Sequence, residues 1–97
     1  KCMTTVLCAK GYPNKYKINK YINLEQVKLD KNSFVFHAGT KSVDGSLMSN
    51  GGRVLNIVVL GNSFSKIRDS IFKIIKKINW RHGFFRKDIG WRVIKFK

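Results

Sequence analysis

Residues 36–61 read FHAGTKSVDGSLMSNGGRVLNIVVLG. Asp44-Gly45 lies between two short runs, Lys41-Ser42-Val43 and Ser46-Leu47-Met48-Ser49. Both turn residues tolerate positive φ, so a tight hairpin is predicted here. Asn50-Gly51-Gly52 forms a second turn. Arg53 to Leu60 then reads as a strand with apolar residues on both faces, which predicts a central strand covered on both sides. Gly61-Asn62 ends it, and the Ser63 hydroxyl can cap a helix.

Working outward, the helix is written plainly. Phe64, Ile67, Ile71, Ile74, Ile75 and Ile78 recur at helical spacing, with lysine, arginine and aspartate between them. Upstream, Ser33 to His37 and Thr4 to Ala9 are β-branched, apolar runs of strand length. Lys10-Gly11-Tyr12-Pro13-Asn14 stops the first of these, because Gly and Pro are strong punctuation. Lys15 to Tyr21 predicts an irregular excursion, and Leu24 to Val27 a single helical turn. Asn79 to Phe85 reads as a loop. Trp91 to Phe96 nearly alternates apolar and basic residues, which predicts a last strand. Hairpins followed by one long helix define an α+β class: a largely antiparallel sheet with one amphipathic helix packed on it. The chain, 1–97, is expected to be a single domain.

Composition narrows the functional classes. The 97 residues are 43% hydrophobic, ordinary for a globular domain. No apolar run approaches the roughly 18 residues of a membrane-spanning helix. Lys1-Cys2-Met3 leads straight into strand-like sequence, without a charged-then-apolar leader. Cys2 and Cys8 share one extended segment and would stand about 20 Å apart, beyond disulfide reach. They are expected to be small core residues in a reducing, cytoplasmic setting. The net charge is +15. Fifteen lysines, eight asparagines and ten isoleucines accompany one another, as compositional drift toward A·T-rich codons would produce. The alternative is a small basic nucleic-acid-binding domain, with Trp80, Trp91 and the tyrosines set among lysines.

Two glycine turns each deliver a cation. Lys41 follows His37-Ala38-Gly39-Thr40, and Arg53 follows Gly51-Gly52. Glycine lets a ligand approach the backbone, and turns can present N–H groups to an anion. Arginine adds a planar fork for phosphate oxygens, lysine a point charge. A hairpin at Asp44-Gly45 folds Lys41 back toward Asn50, so the two cations can share one anion. Hairpin glycines with solvated charges explain the same residues equally well. The pattern is neither GxxxxGKS nor GxGxxG, so no nucleotide-triphosphate loop is encoded. His37 ends a strand as a phosphate ligand, a general base or a hydrogen-bonded structural residue. Arg86-Lys87-Asp88-Ile89-Gly90 is a second polar cluster, in which Asp88 either orients a cation or serves the turn. No paired carboxylates, activated nucleophile or metal-ligand spacing is present, so no catalytic residue and no metal site are expected.

KGYPNKY, VFHAGTK, NGGRVLNIVVLG and FFRKDIGWR, in this order, resemble the carboxy-terminal domain of the phosphoribosylamine–glycine ligase family. The likeness runs from about Leu7 to Arg92. The family is an ATP-grasp ligase of purine biosynthesis, joining phosphoribosylamine and glycine with release of ADP and phosphate. The resemblance implies a domain without the ATP-grasp and amino-terminal parts, which would be its partners in the full-length enzyme. It implies that Lys41 and Arg53 hold the 5′-phosphate of phosphoribosylamine, with Asn50, Gly51 and Gly52 shaping the site and His37, Arg86 and Asp88 at its rim. It further implies that this domain binds no cofactor, while ATP and Mg²⁺ or Mn²⁺ act in the full-length enzyme. No membrane or nucleic-acid partner is implied.

Overall fold

The computed structural model describes residues 1–95. The strands are β1 (Cys2–Ala9), β2 (Ser33–His37), β3 (Thr40–Val43), β4 (Ser46–Ser49), β5 (Arg53–Leu60) and β6 (Gly83–Phe84); the helices are α1 (Phe64–Ile78) and α2 (Trp91–Lys95). β2, β5, β1 and β6 form one sheet in that order, every pair antiparallel. β3 and β4 form a separate hairpin, with Asp44 at φ 51° and Gly45 at φ 80°. Both turn residues take the positive φ that a two-residue hairpin of this twist requires.

The sheet's inner face meets α1. Met3, Leu7, Leu55, Ile57 and Val59 pack there against Ile67, Ile71, Ile74, Ile75 and Ile78. Burial of each such side chain contributes roughly 1.5–3 kcal/mol. Ser63 caps α1, accepting from the Lys66 N–H at 3.5 Å. Asn79 ends it at φ 53°, donating its N–H to the Ile75 carbonyl. Lys76 and Lys77 in the last turn complement the macrodipole.

Three expectations are corrected. Cys2 is exposed and only Cys8 is buried, because Cys2 alternates onto the face away from Met3, Thr5 and Leu7. Second, β5 is covered by α1 on one side only. On its other face Asn56 and Val58 are half-buried and Leu60 is exposed. Third, Trp91–Lys95 is helical. The chain turns at Gly90 (φ 73°), and the Ile94 N–H donates to the Gly90 carbonyl at 3.1 Å. Ile89 and Ile94 then pack on the core. The predicted strand's Phe96 lies outside the described residues. The loop expected at 79–85 also holds β6, which pairs with the end of β1.

The Lys15–Tyr21 excursion is irregular but tied down. Asn19 N–H donates to the Ser49 carbonyl, Ser49 N–H to Lys20, and Ile22 N–H to Leu47. Ser49 is fully buried, and its hydroxyl accepts from the Lys20 N–H.

Candidate functional site

A bulge aims the key side chain. Leu7 pairs with Leu55, but Cys8 pairs with Arg53, so Val54 is the extra residue. In a regular strand Arg53 would share the helix-facing side with Leu55. The bulge turns it to the opposite face. There it lines a hollow of about 540 Å³ together with Val6 and Asn56, which occupy that same face. This volume lies within the usual range for small-molecule sites.

Two glycine turns form one wall. The Ala38 and Gly39 N–H groups both donate to the Val54 carbonyl, and the Asn50 N–H donates to the Gly39 carbonyl at 2.7 Å. The turns touch so closely that a Cβ on Gly39 would stand 2.6 Å from the Arg53 carbonyl oxygen and 2.9 Å from the Gly51 Cα. On the other wall are Tyr12 and Tyr16, whose rings lie 6.1 Å apart. The Tyr12 ring occupies the space that a Gly52 side chain would need.

The sequence-derived residues separate into three places. Gly51, Gly52 and Arg53 line the hollow, joined by Gly39. Asn50 closes the turn behind them. Lys41 stands on β3 opposite Met48 and does not line the hollow. His37 is exposed at the end of β2, its Nδ1 3.1 Å from the Thr40 hydroxyl, so it braces the turn that carries Gly39. Arg86 and Asp88 are paired at 3.1 Å and line a different depression with Ile89 to Val93, which shares no residue with the Arg53 hollow. The Arg86 hydrogen bond holds the Asp88 carboxyl below its usual range. Tyr12, Tyr16 and Asn56 were not singled out from sequence. The signal for the tyrosines was present in KGYPNKY, but it carried no role until Tyr12 was seen against Gly52.

Electrostatics favour an anion. Burial pushes the Cys8 thiol up, and the nearby Arg53 charge opposes that rise. Across Tyr16 lies a second hollow of about 550 Å³, lined by Lys10, Lys15, Lys17, Lys20, Arg81 and His82 without a carboxylate. Among the described residues, no three His, Cys, Asp or Glu side chains could hold a metal ion, and no helix is long and apolar enough to cross a membrane.

A family model for the phosphoribosylglycinamide synthetase C domain matches residues 2–92. The chain belongs to this family. The phosphoribosylamine–glycine ligase of Agrobacterium fabrum is 39% identical over 92 residues, covering 95% of this chain and 22% of the relative. The Vibrio parahaemolyticus ligase is 44% identical over 90 residues, covering 92% of this chain and 21% of the relative. The chloroplastic enzyme of Arabidopsis thaliana is 38% identical over 98 residues, covering 98% of this chain and 18% of the relative. The crystal structure of the Thermotoga maritima ligase matches with a TM-score of 0.74 at 32% identity, over 88% of this chain and 20% of that one. The chain thus spans about a fifth of the length of these relatives, as a synthetase C domain does. The α+β fold derived above is the fold of that family.

Proposed function

We propose that this chain serves as the carboxy-terminal domain of a phosphoribosylamine–glycine ligase, and that the Arg53 hollow receives the 5′-phosphate of phosphoribosylamine. One observation carries the reading: a bulge aims the Arg53 guanidinium into a hollow whose wall is two glycine turns. Arginine offers phosphate a bidentate, charge-assisted fork, and the glycines admit the phosphate close to the backbone. Tyr12 and Tyr16 give the sugar an apolar wall. Lys41 serves as the second cation from β3, and Arg86 and Asp88 stand apart from the phosphate.

The domain forms no bond itself. It holds the sugar phosphate so that the amine faces the activated glycine carboxyl, and closes against the ATP-grasp part of the enzyme. In the full-length enzyme, ATP with Mg²⁺ or Mn²⁺ supplies the activation of glycine. Positioning a nucleophile in this way lowers a barrier by several kcal/mol.

The test is kinetic, in the full-length enzyme. Arg53→Ala should raise KM for phosphoribosylamine about ten- to a hundredfold, as loss of a charge-assisted hydrogen bond of about 1.5–3 kcal/mol requires, with KM for ATP unchanged. Lys41→Ala should raise it less. An equal loss toward both substrates, or none, sinks the assignment.

A further inference from the structure

α1 covers one face of the sheet, and the other face is bare. Cross-strand pairing sets Thr4, Val58 and Phe34 in one row and Val6, Asn56 and Phe36 in the next. Phe34 and Phe36 are 40% and 52% exposed, and their rings stack at 6.0 Å. None of these six residues is charged, although 26% of the chain is. The outward side of α1 shows what this chain does with a wetted surface: Lys66, Lys73, Lys76 and Lys77 are all exposed there. A contiguous apolar face of this kind marks an interaction surface. β5, whose two faces both read as core from the sequence, lies at its centre.

Resting on the reading of this chain as one domain of a longer ligase, we propose that the Phe34–Phe36 face is the docking surface for the rest of that same polypeptide. Two observations choose this occupant over a foreign partner. The relatives carry about four times as much chain outside the matched region as within it. Val6 and Asn56 belong both to this face and to the Arg53 hollow. A segment seated on Phe36 therefore also roofs the hollow, shielding the bound phosphate from water and strengthening its pairing with Arg53. Docking and completion of the site are one event.

Thiol labelling of the full-length ligase tests this. Phe36→Cys and Thr4→Cys place a thiol on the face, and Lys73→Cys places one on the outer side of α1. Peptide mass spectrometry separates each from Cys2 and Cys8. With maleimide, the thiols of Phe36→Cys and Thr4→Cys should react at least tenfold more slowly than that of Lys73→Cys, at every enzyme concentration. Equal rates would overturn the proposal. Protection that disappears on dilution would also overturn it, since the occupant would then be a second copy. Two positions guard against one variant failing to fold. The labelling needs no substrate, so a normal KM in Arg53→Ala would remove the phosphate assignment while leaving this result interpretable.

Discussion

Thr5 and Cys8 lie three residues apart on β1 and predict opposite behaviour. Thr5 is 1% exposed, and its hydroxyl has no hydrogen-bond partner among the described residues. An unpartnered buried hydroxyl costs about 1–3 kcal/mol, so Thr5→Val should stabilise the domain by about 1 kcal/mol. In a thermal melt that is a rise of roughly 4–8 °C for a domain of this size. A fall in Tm would mean that the hydroxyl has a partner. Cys8 makes a pH prediction. Its folded thiol is held above the ordinary value of 9.0, chiefly by burial. The unfolded chain therefore loses its proton first as pH rises. The stability linked to Cys8 is full below about pH 9 and declines above it. Denaturant midpoints measured at pH 8 and 10 should fall less in Cys8→Ala than in the parent; identical slopes would contradict this.

At the scale of elements, the hollow depends on two turns pressed together. Gly39→Ala inserts a methyl group where the Arg53 carbonyl and the Gly51 backbone already stand. Backbone cannot swing aside as a side chain can, so the substitution should cost roughly 1–3 kcal/mol, as overpacking does. The same change should raise KM for phosphoribosylamine by splaying the wall beside Arg53. A variant with unchanged Tm and KM would show that the turns do not form that wall. These turns, the hairpin and α1 were legible in the sequence because their signals are local: Asp44-Gly45, Gly51-Gly52, Ser63 and an isoleucine stripe of one period. What was not legible depends on distant partners. The Trp80 indole donates to the Cys8 carbonyl across 72 positions and draws Gly83 and Phe84 into the sheet edge. The five residues from Trp91 are too short a run to distinguish period 2 from 3.6, and contact with the core decided for helix. The bulge at Val54, which aims Arg53, left no trace in composition or spacing.

Over the whole molecule, +15 is too large to be neutral toward anions. The six basic side chains of the Lys10–His82 hollow raise the local concentration of any polyanion, and exposed Tyr16 and Tyr21 offer rings to bases. A short single-stranded oligonucleotide should therefore shift NMR signals of these lysines at low salt and release them at high salt. Ribose 5-phosphate should shift residues 39–53 at both. Salt-resistant oligonucleotide shifts, with none from the sugar phosphate, would favour a nucleic-acid role instead. The topology carries a further consequence. β1, the first strand made, pairs with β5 on one side and β6 on the other, and residues 10–52, forty-three in all, separate it from β5. At roughly 5–20 residues per second, a ribosome leaves Thr4 to Ala9 waiting about 2–9 seconds for a partner. The most aggregation-prone stretch of the chain is thus also the one with the longest solitary life during synthesis.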